Sequence, residues 1–265
     1  MQIVGYETAP GGDDDHAGLL ISQEGTVRLE SLQAGVELSY SLGERHCAGT
    51  LKSVADAEPD EEGTLRHVAC DNDDAPYCPV HTATWPCARC TGNCDLPLAS
   101  CREEHAIYLA AFAPATFKVG VTRSWRLDTR LREQGADHAA HLRTVENGRI
   151  ARQIEAEIAS EIGDRVRVPT KVEGLHRGVD ESAWEALLAE YDPIATYDFG
   201  YGFEMPERPV AETIASGMVR GTQGRVLVLD RNGSSYAVDM RDLVGYDVTE
   251  GGTDRALQSS LGAFE

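Results

Sequence analysis

Lysine is nearly missing from this chain. Lys52, Lys118 and Lys171 stand against 21 arginines in a sequence of 265 residues that carries 44 acidic side chains and a net charge of -20. A surface so acidic repels polyanions, so contact with nucleic acid would have to be made through a local basic patch. It also suits a very salty cytosol, because at molar salt the screening length falls to ~3 Å and distant acids hardly oppose a local cation. No apolar run approaches the ~20 residues that cross a bilayer, and the opening M-Q-I-V-G-Y has no basic segment followed by an apolar one. A cytoplasmic protein without membrane contact is therefore expected. There is no P-loop, no G-x-G-x-x-G, no internal repeat and no Ser/His/Asp order, which removes the usual signatures of nucleotide binding and serine hydrolysis.

What the chain has instead is cysteine in one place. Cys47, Cys70, Cys78, Cys87, Cys90, Cys94 and Cys101 fall within about a fifth of its length, and in a reducing cytoplasm such clustering argues for metal rather than disulfides. C-A-R-C-T-G-N-C presents Cys87, Cys90 and Cys94, with Cys101 to complete a tetrahedron. Cys78 and His81 make a C-x2-H pair that Cys47 and Cys70 complete. Seven cysteines and one histidine are what two closed zinc sites require, and a closed site has a structural role. Sets that draw on His46 or His67, and an iron-sulfur cluster, are the competing assignments. Between the ligands, Ser53 to Gly63 is acidic and poor in apolar residues, which predicts a loop.

The longest ordered pattern starts at His105. His105–Leu109 and Phe117–Val121 alternate on either side of Pro114, a hairpin signature. Strand alternation puts Ile107, Leu109, Phe117, Val119 and Val121 on one face and Tyr108, Lys118 and Gly120 on the other. A helix over Trp125–Gln134 follows, with Leu127 and Leu131 on its apolar side, Arg126 and Arg130 on another, and Gly135 as its stop. A third strand is expected over His141–Val145 and a second helix over Arg149–Ile162, with Ile150, Ile154, Ile158 and Ile162 as its buried stripe. Glu155 and Glu157 flank that stripe, and periodicity does not choose between them. From Lys118 to Arg152 eight basic residues face four acidic ones, so this segment is +4 in a chain of -20.

This order of elements resembles the GIY-YIG nuclease superfamily. Ala106-Ile107-Tyr108 stands at the first motif and Lys118-Val119-Gly120 at the second. More closely, K-V-G-V-T-R followed by R-L-R-E-Q-G-A resembles the uncharacterised domain-of-unknown-function family 2797, which also carries a cysteine-rich segment before this block. The resemblance implies a nuclease-like core in which Tyr108 helps activate a water, Arg130 holds the scissile phosphate and Glu155 ligates a catalytic Mg or Mn ion. Gly120, Arg123 and Arg126 would meet the nucleic acid, DNA or RNA. Lys118 replaces the second tyrosine of the pattern, which fits an active variant in which an ammonium polarises water or phosphate. It equally fits an inactive module that binds nucleic acid or another protein. The longer spacing from Gly120 to Arg130 makes Arg126 a rival for the phosphate.

The fold class is α+β, in five stretches. Residues 1–45 are an N-terminal β segment and 46–104 the zinc-binding segment. Residues 105–175 are the GIY-YIG-like core, a small antiparallel sheet with flanking helices. V-R-V-P-T-K-V-E-G-L-H reads as an exposed loop or edge strand. Residues 176–210 hold a helix over Asp180–Tyr191 and an aromatic, Gly-rich linker from Tyr197 that either stacks bases or packs. Residues 211–265 are a C-terminal β segment with a disordered tail, its Arg231-Asn232-Gly233 marking a hairpin. The two β segments are expected to be barrel-like. Oligomeric state is not readable from the residues.

Overall fold

The computed structural model describes residues 1–8, 16–53, 65–82, 90–93 and 99–252. Asp13 to Asp15, the acidic stretch from 54 to 63, Cys87, Cys94 and the tail beyond 252 lie outside the described residues. The chain divides into two compact units, Met1–Ala83 with Pro209–Glu265, and Thr84–Arg208. First come β1 (Gln2–Glu7), β2 (Gly18–Gln23), β3 (Thr26–Ser31), β4 (Glu37–Arg45), β5 (Thr50–Ser53) and β6 (Leu65–Val68). The second unit holds β7 (His105–Phe112), β8 (Thr116–Arg123), α1 (Leu127–Gln134), β9 (His138–Val145), α2 (Gly148–Ile162), α3 (Val168–Gly174), α4 (Glu181–Leu188) and β10 (Ala195–Asp198). The chain then returns to the first unit with β11 (Val210–Ala211), β12 (Ala215–Gln223), β13 (Val226–Arg231), β14 (Ser234–Asp239), α5 (Met240–Leu243) and β15 (Tyr246–Glu250).

The first unit is an eleven-stranded sheet in the order β11-β14-β13-β12-β4-β15-β1-β2-β3-β6-β5. Its buried face comes from strand alternation: in β4, Leu38 and Tyr40 are buried while Glu37 and Ser39 are exposed. They join Ile3, Leu19, Ile21, Leu227, Leu229 and Met240 in one core. Asn232 and Gly233 both take positive φ, 51° and 77°, the backbone twist of a tight hairpin between β13 and β14. The barrel expectation is corrected here. Strands from both ends of the chain interleave in one sheet, β4 lying between β12 and β15, and no pairing joins the sheet's two edges among the described residues. Alternation specifies which face of a strand is buried, but not which strand lies beside it.

The second unit is a four-stranded antiparallel sheet in the order β10-β9-β7-β8. β7 reads A-I-Y-L-A-A-F and is buried throughout, because helices cover both faces. Tyr108 and Ala110 pack with Leu127 and Leu131 of α1. Ile107 and Leu109 pack with Ala151 and Ile154 of α2 and Trp184 of α4. Asn147 caps α2 by accepting N–H bonds from Arg149 and Ile150 at 3.1 and 3.0 Å, and Gly135 ends α1 in the left-handed conformation.

Four local expectations change. β9 begins at His138, three residues early, and the first helix opens as a 3-10 turn over Ser124–Arg126. The stripe of α2 is centred on buried Ala151, with Ile154, Ile158 and Ile162 packed beside it and Ile150 outside that cluster. In V-R-V-P-T-K-V-E-G only Val166 and Arg167 are loop; Val168–Gly174 forms α3, whose Val168 and Val172 are buried one turn apart. Pro169 sits in its first turn, where a missing N–H forfeits no helix bond. The aromatic stretch packs: Tyr197 and Phe199 lie against the Tyr108 core, and the Tyr201 hydroxyl donates to the Ala136 carbonyl at 2.7 Å. Among the described residues no helix is long and apolar enough to cross a membrane.

Candidate functional site

Cys47 follows β4, Cys70 follows β6, and Cys78 and His81 share the next turn, in which the His81 and Thr82 N–H groups return to the Cys78 carbonyl at 3.0 and 2.8 Å. The donor atoms of these four residues lie within 4.8 Å of one another. His81 Nδ1 is 3.4 Å from Cys47 Sγ and 3.2 Å from Cys78 Sγ. An ion bonded tetrahedrally to sulfur at ~2.3 Å and nitrogen at ~2.0 Å sets such pairs roughly 3.5 Å apart. The N–H groups of Gly49 and Cys78 donate to Cys47 Sγ at 3.4 and 3.3 Å. Burial pushes the Cys78 thiol up, but the backbone N–H groups of His81 and Val80 and the His81 ring outweigh it and bring it to about 7. The set could hold a metal ion such as zinc. The rival histidines are braces instead: His46 Nδ1 is 3.1 Å from the Cys70 carbonyl, and His67 lies 3.0 Å from the Ala48 carbonyl and 2.9 Å from Ser22 Oγ.

For the other proposed set, Cys90 and Cys101 are both half-buried. The Gly92 N–H donates to Cys90 Sγ at 3.3 Å, and Arg149 near the start of α2 donates to the Gly92 carbonyl at 2.8 Å.

The hairpin register pairs Tyr108 with Gly120 and Ala110 with Lys118, so phenol, bare backbone and ammonium occupy one face. Tyr108 is 1% exposed. Its hydroxyl accepts from Gln134 Nε2 and lies within hydrogen-bond reach of Arg130. Burial pushes the phenol up, and Arg130 and Gln134 recover only part of that rise, so at neutral pH Tyr108 is a neutral hydroxyl. Lys118 moves the opposite way. Burial and then Arg130 lower its ammonium from 10.5 to about 8, against the pull of Glu155 and Asp164. Glu155 is within electrostatic reach of both Tyr108 and Lys118. Its side chain is 12% exposed and accepts from Arg152 at 2.6 Å, whereas Glu157 faces solvent.

Beside this group opens a cleft of about 600 Å³ whose lining includes Arg123, Arg126, Arg130 and Arg152. Glu133 fixes two of these, accepting from Arg126 at 2.6 Å and Arg130 at 3.0 Å. Tyr108, Lys118 and Glu155 do not line it. They adjoin it through Arg130 and Arg152. Each of its four guanidiniums is paired with a carboxylate: Arg123 with Glu103, Arg126 and Arg130 with Glu133, and Arg152 with Glu155.

Over residues 77–248 the chain matches DUF2797, a family of proteins of unknown function. The chain belongs to that family. No curated protein and no solved structure matches it. The DUF2797 match spans Cys78, His81, the whole second unit and most of the strands after it, and begins after Cys47 and Cys70.

Three contributors to this candidate site are not singled out by sequence. Gln134 lies one turn after Arg130, Arg152 three residues before Glu155, and Glu133 beside Gln134. The helical spacing of each carries a signal, but surface pairs of this kind are common. Gly120 is required by space rather than by backbone angle: a Cβ there would meet the Tyr108 ring and hydroxyl at 2.5 Å. Gly120→Ala should therefore lower stability by about 2 kcal/mol through overpacking, read as a drop in urea midpoint with unchanged m-value. An unchanged midpoint would mean that Tyr108 can leave its place over Gly120.

Proposed function

We propose that this chain binds nucleic acid at the arginine cleft and hydrolyses a phosphodiester bond beside it, as a variant of the GIY-YIG nuclease pattern. The convergence of Lys118, Arg130 and Glu155 at the edge of an arginine-lined cleft carries the reading. Phosphoryl transfer needs a proton acceptor for water, cations on the phosphoryl oxygens and charge control at the leaving oxygen. A phosphate entering the cleft meets Arg130 and draws Arg152 away from Glu155. The Lys118 amine, free in part near neutral pH, takes a proton from water as the water oxygen bonds to phosphorus. The opposite P–O bond breaks, and its oxygen keeps the electron pair until solvent protonates it. Tyr108 is too deeply buried to reach substrate, so it acts as a positioning residue that holds Arg130 and Gln134.

The donor set suits a divalent ion only jointly with substrate. Mg²⁺ in such sites keeps most of its water and shares one or two carboxylates with phosphate oxygens. Glu155 would be its protein ligand once Arg152 has turned to the phosphate, and the ion would supply charge neutralisation on the phosphoryl oxygens.

A second reading keeps the binding without the chemistry. The neutral Tyr108 hydroxyl and the closed Arg152–Glu155 pair favour it. Labelled single- and double-stranded DNA and RNA, incubated at high potassium chloride with magnesium or manganese, separate the two. Glu155→Gln is expected to slow cutting at least 100-fold while leaving binding within a few-fold. Binding by the intact wild type that survives chelation, with no cutting of any substrate, would leave only the second reading.

A further inference from the structure

We propose that Trp125 and Arg123 form a stacking platform for an unpaired base, so that the cleft takes single-stranded nucleic acid. This rests on the nucleic-acid reading above and names its substrate class. Trp125 lies in the 3-10 turn between β8 and α1 and is 69% exposed, whereas Trp184, in the core, is 5% exposed. A lone exposed indole is ordinary, but this one is held. Its Nε1 donates to Glu103 Oε2 at 3.0 Å, and the Arg123 guanidinium stands 4.6 Å from its ring centroid. Glu103 also accepts from Arg123 at 3.4 Å, so one carboxylate orients both partners. The Trp125 N–H and then Arg123 hold that carboxyl below its usual range, which keeps it ionised. Arg126 approaches the same ring at 6.0 Å.

Arg123 and Arg126 also line the cleft with Arg130 and Arg152. A strand whose phosphates lie among these guanidiniums brings its bases to the indole beside them. A ring already oriented loses little freedom when a base lands on it. In a duplex both faces of each base are occupied by neighbours, so the platform has value only for unpaired bases. Stacking is also the contact least weakened by salt, since it does not depend on counterion release. That suits an arginine cleft in a chain of net charge -20, where Coulombic attraction is opposed at low salt and screened at high salt.

The test is fluorescence anisotropy of dye-labelled oligonucleotides without added divalent metal, at low and high potassium chloride. Single-stranded DNA, single-stranded RNA and the corresponding duplexes are titrated with wild type, Trp125→Ala and Trp125→Phe. Trp125→Ala should weaken single-strand binding about tenfold at both salt concentrations and change duplex binding less than twofold, while Trp125→Phe keeps most of the affinity. If only one of DNA and RNA shows this pattern, the platform stands and its source is identified. Equal loss on single strands and duplexes would overturn the platform, because Trp125 would then merely be propping Arg123. So would no loss at all, with wild-type binding intact and the nucleic-acid reading unharmed. Absence of wild-type binding to every oligonucleotide would remove both.

Discussion

Chelation of a zinc-loaded sample should release residues 65–82 from the first unit and lower its thermal midpoint sharply. The reason is a shortage of apolar anchors. Across 65–82 only Cys78 is buried, and β6 pairs with β3 through a single register pair, Thr26 with Arg66. β6 is otherwise held by its pairing with β5 and by His67, and the chain that follows it by the metal set and its flanking hydrogen bonds. Structural zinc binds cysteine and histidine ligands with roughly 10–16 kcal/mol of apparent free energy, comparable to the whole stability of a domain at about 5–15 kcal/mol. No residue of 65–82 belongs to the core around Ile3, Leu229 and Met240, so opening is expected to be local first. At least about 3 kcal/mol of stability should disappear with the ion. Cys47, 0% exposed, and Cys78, 2% exposed, should change from inert to reactive toward a thiol reagent. Cys78→Ser should reproduce both effects without chelator. Thiol reactivity and midpoint that ignore both chelator and substitution would show that packing alone holds these four side chains together.

The set was legible because its spacing is short-range chemistry. Cys78-x2-His81 encodes a turn that points two ligands at one ion, and counting ligands left Cys47 and Cys70 to complete it. What the residues do not encode is the path between them: β5 and β6 bring Cys47 and Cys70 together across a stretch whose composition predicts only a loop. The same division runs through the second unit. Tyr108, Lys118 and Gly120 share a face because β7 and β8 pair in a register that two-residue alternation already implies. Glu155 is separated from Glu157 only by what α2 lies upon. Periodicity placed both at the margin of the stripe, and the structure leaves Glu155 12% exposed and paired with Arg152 while Glu157 is exposed. α3 was hidden by β-branched Val166, Val168 and Val172, whose strand propensity is overridden once Pro169 opens a helix and two of the valines find the core. The order of the eleven-stranded sheet was hidden for a plainer reason. β4 pairs with β12 and β15, more than 160 residues away in sequence, and no local pattern specifies such a neighbour.

Lys118→Met should make the protein more stable and its hydrolysis slower, and the two effects should follow opposite limbs of the same titration. The Lys118 ammonium has its folded pKa at about 8 against an ordinary 10.5, because burial and the nearby Arg130 disfavour its charge. Below pH 8 it is protonated in folded and unfolded states alike, so the penalty for holding the charge in place is fully present. Between pH 8 and 10.5 the folded protein has released the proton and the unfolded chain has not. Stability therefore rises with pH across that window and the penalty is gone above it. At pH 7, Lys118→Met should gain up to about 3 kcal/mol, from 2.5 pKa units at 1.36 kcal/mol each, and the gain should vanish above pH 10.5. In the proposed mechanism the proton acceptor is the free amine. The wild-type rate should climb about tenfold per pH unit below 8 and level off above it, while Lys118→Met should lose about 10²–10⁴-fold at every pH. A rate independent of pH between 6 and 9, with Lys118→Met still cutting, would remove lysine from the chemistry. A stabilised variant in a protein that never cuts would mark Lys118 as the remnant of a lost site, since the same cost would then be borne with no reaction to maintain it. A stabilised variant that has lost the cutting of its parent, together with a wild-type rate that climbs to pH 8, would support a lysine kept, at a cost in stability, for its proton, whereas a rate that falls as pH rises would assign the role to the ammonium.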